Sequence, residues 1–548
     1  GQDTDFDGYP DEWTIGCDST CQNASGLRLD THPDDHDNDG LSDDVDTDDN
    51  NDGVEDADAD SDGLIDIGSL TELNAMRFSL DGVSQRMTEF SDADTSGCPA
   101  GIHNGQLARR CNGYELVSNL DFDTNQDGLM NESDEYWNAG SGWLPIGVWR
   151  SPFETNFNGQ GYLIQNLYSY HPELDEAGLF GYVIGEDILL EQVAFAGPLT
   201  SVTAEYFAGV LAGYVYKASM DKIYVAGTTN GVDSAGGVAG VLYWGELTNS
   251  FSSVNTSAVR NAGGLIAIAG YSRISNSISI GQAMPNSADS GGVIGESEYM
   301  SYQHLHWATD VSGAQGSAGV DESETYFGAI LTELQCPTTP DDRSCREGDV
   351  LYQNWASSVW NFGTTEQLPG LIIRGSVYRD GDGDGALDPN ATPSVLIKMY
   401  QDGNEESTIV EGMGDVTIEA FITDPDEHDT FTLYWSIDGI TEYTELGNSI
   451  TFSSNGLPAG DYSITVVVTD SGVPSQSDSA STTVRVISDI APISEDQTDS
   501  SPETNDTLPS DNSTDDGGRS GGGSIAWLLL LLIATIICHR QSYFVSKT

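Results

Sequence analysis

Positive charge is what this chain has least of. Its 548 residues carry 19 Lys and Arg against 88 Asp and Glu, a formal net charge of −69. Phosphate backbones are bound by clustered Lys and Arg, so nucleic acid is excluded as a partner, and an anionic lipid surface with it. Long apolar runs are scarce too. Ile525–Cys538, 14 residues of nearly pure hydrocarbon, falls short of a full membrane span. There is no His-Glu-x-x-His and no phosphate loop. There is also no Cys-x-x-Cys, which speaks against a zinc or redox role for the seven cysteines. Six of them fall in local pairs, Cys17/Cys21, Cys98/Cys111 and Cys336/Cys345, with Cys538 apart in the apolar tail. Close, even pairing reads as disulfides formed outside the cytoplasm. Gly1 opens the chain without an initiator Met or a signal peptide, so a processed or truncated form is expected.

What the chain has in abundance is acid in a fixed pattern. Residues 1–66 hold 23 acidic residues against the single base Arg28. Three times there, aspartates two residues apart are followed by a glycine and an apolar residue, with a carboxylate at the ninth position. The copies are Asp35, Asp37, Asp39, Gly40 and Asp43; Asp48, Asn50, Asp52, Gly53 and Asp56; Asp58, Asp60, Asp62, Gly63 and Asp66. The same grammar opens the chain at Asp3, Asp5, Asp7, Gly8 and Asp11. It returns at Asp123, Asn125, Asp127, Gly128, Asn131 and Asp134, and again at Asp380, Asp382, Asp384, Gly385 and Asp388. Calcium takes six to eight oxygen ligands, which alternating carboxylates on a turned loop supply, while glycine permits the sharp turn. Magnesium fits less well, because it holds its waters and takes fewer protein ligands. A solvated acidic linker is the plain alternative, but a linker has no reason to place Gly after each third ligand.

These are not helix–loop–helix sites. Gly40, Gly53 and Gly63 lie 13 and 10 residues apart, too close for flanking helices. The glutamate expected at the twelfth position is replaced by Asp46 and Asp134 in two copies, and by Thr14, Ala59, Ser69 and Ala391 elsewhere. Residues 1–66 resemble the type 3 thrombospondin repeat, a calcium ladder with little regular structure, and the resemblance implies that the metal is its core.

A second period begins at Ala177. Ala177-Gly-Leu-Phe-Gly181, Ala208–Gly213, Ala235–Gly240, Ala262–Ile266 and Ser290–Gly295 begin 31, 27, 27 and 28 residues apart, each followed by an alternating segment. One such unit cannot bury its own apolar face, whereas stacked copies can, which is the logic of a solenoid. With short strands and glycine corners the expected class is all-β, a right-handed-type β-solenoid over residues 67–375. A short helix over Leu70–Leu80 would lead into it, and Trp360–Phe362 with Leu368–Leu371 would close it. This region resembles the GLUG-motif repeats of large bacterial surface proteins, which implies an adhesin-like scaffold with no catalysis of its own.

Residues 376–392 are a calcium-loop linker. Residues 393–487 then read as five or so strands around Trp435, an Ig-like β-sandwich. The sandwich resembles PKD or cadherin-like domains through Asp424-Pro-Asp426, Tyr434-Trp435, Gly460-Asp-Tyr462 and Thr469-Asp470. Asp424, Asp426 and Asp470 offer a further cation site or, more simply, loop caps. Residues 488–523 are a polar spacer. Residues 524–548, with glycines, a Leu-rich run and Arg540, resemble the GlyGly-CTERM sorting signal. That resemblance implies a sorting protease, transient membrane contact through residues 525–538, and the surface of a Gram-negative bacterium; a retained anchor is the alternative.

An enzyme remains the rival expectation: a secreted β-helical carbohydrate-active enzyme or polysaccharide-binding protein. A lyase needs a cationic base beside carboxylates, yet Lys217, Lys222, Arg260, Arg273, Arg343 and Arg346 do not recur in register with an Asp pair. A hydrolase needs two opposed carboxylates, and no spacing singles out two among Glu186, Glu191, Asp221, Glu246 and Glu296. His304 and His306 would share a strand face, more simply outward than on a metal; His32 and His36 read as bystanders. Trp137, Trp143 and Trp149 suit either sugar stacking or filling the first coil. The expectation is therefore a non-catalytic, calcium-binding surface scaffold whose ligand is an unidentified glycan or protein.

Overall fold

A computed structural model describes residues 17–25, 29, 56–103, 106–285, 289–313, 326–347, 349–406, 408–424, 431–437, 441–444, 447–454, 458–470 and 475–487. The candidate ligands Asp3, Asp5, Asp7, Asp11, Asp35, Asp37, Asp39, Asp43, Asp48, Asn50 and Asp52 lie outside these residues, as do His32, His36, the spacer and the apolar tail. Among the described residues no helix is long and apolar enough to cross a membrane.

The glycine motifs fall into register. Ala177 lies beside Ala208, Ala208 beside Ala235, Ala235 beside Ala262 and Ala262 beside Ser290, all in parallel pairing. The chain therefore winds as a β-solenoid with one motif per coil, as the spacing predicts. Three parallel sheets form its faces, one of 15 strands and two of five. One five-stranded face runs Phe180–Ile184, Ala212–Tyr216, Ala239–Tyr243, Ile266–Gly270 and Ile294–Glu298. Inside, Leu179, Val210, Val238, Leu265 and Val293 follow one another from coil to coil, each fully buried. No single coil could hide them, so the core exists only as a stack.

Before the first full coil, strand Ile65–Ile67 joins the long sheet beside Gly113–Leu116. Helix Leu70–Ala75 follows, extended by the 3-10 turn Met76–Phe78. A capping box starts it: Ser69 Oγ accepts from the Glu72 amide at 3.2 Å, and Glu72 accepts from the Gly68 amide at 2.9 Å.

The long sheet has apolar residues on both faces. Leu190, Met220, Leu247 and Ile274 point into the solenoid, while Ala194, Tyr224, Phe251 and Ile278 point out. The switch is a left-handed residue between them, Gln192 (φ 54°), Lys222 (φ 53°), Asn249 (φ 48°) and Asn276 (φ 49°). Each shifts the two-residue alternation by one. The outward layer is covered by Leu334, Tyr352, Trp355, Trp360, Leu371 and Tyr378 of a closing segment, forming a second core on the flank.

Two further sheets, of four and five strands, pack as a sandwich between Ser394 and Ile487 around a fully buried Trp435. The three expected disulfides, Cys17–Cys21, Cys98–Cys111 and Cys336–Cys345, are formed.

Candidate metal centres

Three acidic loops are described in full, and they share one backbone template. The first aspartate of each receives two amides, from the residues four and five positions on. Asp58 accepts from Asp62 at 3.1 Å and Gly63 at 2.9 Å; Asp123 from Asp127 at 3.2 Å and Gly128 at 2.8 Å; Asp380 from Asp384 at 3.0 Å and Gly385 at 2.9 Å. The third aspartate accepts from the amide two residues further, at Leu64, Leu129 and Ala386. Left-handed residues recur at the same two places: Ser61 (φ 55°) with Gly63 (φ 101°), Gln126 (φ 56°) with Gly128 (φ 77°), Gly383 (φ 75°) with Gly385 (φ 93°). The glycine is needed because the chain turns there with positive φ. So folded, Asp58, Asp60 and Asp62 bring carboxylate oxygens within 4.8 Å of one another, as do Asp380, Asp382 and Asp388.

The loop at 58–66 gains a ligand that sequence reading missed. Asp66 is paired in register with Glu115 of the next coil, which is only 2% exposed. Asp66 Oδ2 accepts from the Ala59 amide at 2.9 Å, while its other oxygen is buried without a donor among the described residues. Glu115 accepts from the Gln160 amide, and Gln160 in turn from Arg374 at the tip of the closing hairpin. Loss of water drives the carboxyls up, with their mutual repulsion adding to it: Asp58 to about 7, Asp66 to about 6 and Glu115 to about 8. The Cys98–Cys111 sulfurs back Asp58, but as a disulfide they offer no thiolate, so the donors here are hard oxygens. Only a hint in the sequence points to Glu115, an acid between Tyr114 and Leu116 in a strand, because the pairing that delivers it spans 49 positions.

The other loops differ in detail. At 123–134, Asp134 closes the turn by accepting from the Asn131 amide at 2.8 Å, while the Asn131 side chain donates to Asp127 at 2.9 Å. Asn131 is thus turned as a donor, and the ring is held by hydrogen bonds. At 380–388, Asp388 accepts from the Gly381 amide at 3.0 Å, and burial pushes the fully buried Asp380 up to about 7. Asp56 is buried, but its loop companions lie outside the described residues.

The remaining candidates are placed as follows. Asp470 caps loops, accepting from Gln476 at 2.7 Å and Asn390 at 3.0 Å; Asp426 lies outside the described residues. The outward histidine pair expected at His304 and His306 does not form. His304 takes φ 51° and meets Asn276 at 3.2 Å, so the alternation shifts and His306 is buried against Tyr352 and Trp355. Trp143 fills the first coil and donates to Leu179 at 3.0 Å, Trp137 stacks on Tyr168, and Trp149 is 66% exposed. Of the five solenoid carboxylates offered for hydrolysis, four are engaged: Glu186 with Lys217, Asp221 with Thr248 and Asn249, Glu246 with Arg273, Glu296 with Asn261.

No family model matches the chain, and no curated protein matches it. Among solved structures, it is similar to a protein of Bacteroides ovatus carried under the provisional name of an immunoglobulin A1 protease. The identity is 15% over 57% of this chain and 92% of that one, with a TM-score of 0.35. Extracellular domains of two-component sensor systems from B. thetaiotaomicron match at 12% and 13% identity, each over 20% of this chain and 18% of theirs, with TM-scores of 0.14 and 0.15. At these scores the likenesses carry no argument about function.

Proposed function

We propose that the protein is a calcium-stabilised, extracytoplasmic scaffold without catalytic activity of its own, built to hold a solenoid surface outside the cell. The observation that carries this is the shared loop template, in which buried carboxylates converge with little positive charge to offset them. A hard divalent cation satisfies such a donor set, and calcium tolerates its irregular geometry. In this reading the ions sit at joints: Asp58, Asp60, Asp62 and Asp66 with Glu115 where the acidic segment meets the first coil, and Asp380, Asp382, Asp384 and Asp388 beyond the closing hairpin. Three disulfides support an oxidising compartment. The repeat resembles GLUG-type surface proteins and the sandwich PKD or cadherin-like domains, so adhesion to a glycan or protein is the role proposed. The tail resembles a sorting signal, for which a protease and transient membrane contact are proposed.

The test is calcium titration calorimetry on the full chain, with thermal melts in calcium and in chelator. Several binding events and a large calcium-dependent rise in melting temperature are expected; no heat and no shift would reduce the loops to an acidic tether. A glycan array with calcium and with chelator addresses the ligand, and clearing of polysaccharide by the purified protein would favour the carbohydrate-active alternative.

A further inference from the structure

The flank of the solenoid holds two hydroxyls with nothing to bond. Tyr224, fully buried, stacks on Phe251 of the next coil at 5.2 Å and lies 5.8 Å from Tyr378 of the closing segment. Its hydroxyl has no hydrogen-bond partner among the described residues, and the same holds for Ser253, which is 1% exposed two residues beyond Phe251. Buried hydroxyls left unpaired destabilise a fold, so such groups normally mark a missing partner. What lies against them is the loop at 380–388. A Cβ on Gly385 would stand 3.8 Å from the Ser253 carbonyl oxygen, and the Gly385 amide donates to Asp380 at 2.9 Å. The Tyr224 phenol is held well above its usual range, first by burial and then by the charges of Asp380, Asp388 and Asp384, which places it among those carboxylates.

We propose that a calcium ion seated between Asp380, Asp382 and Asp388 is capped from the solenoid side by Tyr224 and Ser253. Their hydroxyls hold water in the ion's shell, so that the ion clasps the chain beyond the closing hairpin onto the flank. The inference rests on the calcium reading of this loop and adds two residues from coils far away in sequence. The chemistry is coherent: calcium takes six to eight oxygens, the loop supplies only part of these, and each remaining water needs two or more protein partners. The aromatic ring of Tyr224 is already fixed by Phe251 and Tyr378, so its hydroxyl is held in place before the ion arrives.

The experiment uses the full chain with calcium chloride as the probe, comparing the wild type with Tyr224→Phe, Ser253→Ala and Asp382→Asn. Asp382 is exposed, so its substitution leaves the fold intact. Asp382→Asn is expected to remove one calorimetric binding event, and Tyr224→Phe and Ser253→Ala to weaken that same event about 10-fold, the lower end of what a lost supporting partner costs a metal site. Melts separate a ligand role from a packing role. Tyr224→Phe should melt no lower than wild type in chelator, where its hydroxyl is an orphan, and lower than wild type in saturating calcium. If both hydroxyl variants titrate like wild type while Asp382→Asn loses the event, or if Tyr224→Phe melts lower in both conditions, the capping role is wrong and the loop reading stands. If Asp382→Asn also titrates like wild type, the loop holds no ion and both readings fall.

Discussion

Asp58, Asp66, Glu115 and Asp380 are raised to about 7, 6, 8 and 7 while calcium is absent. An unfolded carboxyl titrates near about 4, so the folded, calcium-free chain binds more protons than the unfolded one between these values. The stability these groups contribute is present below about pH 4 and is lost as pH rises through the folded values, between about 6 and 8. In chelator the melting temperature is therefore expected to fall across that range, and calcium should flatten the slope because the ion takes the protons' place. Calorimetry in two buffers of different ionisation heat checks this directly: calcium binding at pH 6.5 should release protons, and binding without release would show that the ions go elsewhere. Glu115→Gln makes a sharper case. It removes a buried charge while keeping an acceptor for Gln160, so it should raise the melting temperature in chelator yet weaken one calcium event. An unchanged titration would remove Glu115 from the site. The loops themselves were legible in the sequence because their template is local, set by glycine and alternating acids. Glu115, Tyr224 and Ser253 were not, since only long-range pairing brings them to the loops.

Among the coils, the small residues decide how closely strands approach. A Cβ on Gly236 would stand 2.0 Å from the Ala239 carbonyl oxygen and 2.7 Å from the Ala267 amide, both backbone atoms that cannot swing away. Gly236→Ala should cost the solenoid about 1–3 kcal/mol or more, read from its urea transition; a loss of only a few tenths would mean the corner relaxes freely. The exposed corner tells a different story. Trp244, Tyr271 and Tyr299 stack at 4.6 and 5.0 Å with nearly parallel rings, so neighbouring faces cover one another and mainly edges remain for a ligand. Their first role is to tie coils together. Tyr271→Ala removes two such contacts and should cost about 1–3 kcal/mol, twice the usual 0.5–1.5 for an aromatic pair, with glycan-array signals unchanged. The register of the coils could be read from five glycine motifs in phase. The flank core could not, because a single left-handed residue such as Asn276 turns Ile274 inward and Ile278 outward within what reads as one alternating strand. Nor has the closing segment any period of its own to announce that it covers that face.

For the whole molecule the question is whether calcium acts at sites or merely dilutes a formal charge of −69. Ions in the three described loops would offset less than a tenth of that charge, so bulk neutralisation cannot be their effect. Sodium chloride distinguishes the two. Near 1 M salt the screening length is about 3 Å, enough to suppress repulsion between exposed carboxylates, while buried groups are screened much less. Asp58 and Asp380 are fully buried and Glu115 nearly so. Melts in chelator with about 1 M sodium chloride should therefore recover only part of the stability that millimolar calcium confers, and the slope with pH should persist. Asp58→Asn together with Asp382→Asn should erase most of the calcium-specific remainder and leave the salt response intact. Equal recovery by salt and by calcium would mean that the loops serve as an acidic shield, and the stiffness attributed to bound ions would then have to come from the stacked coils and their flank core alone.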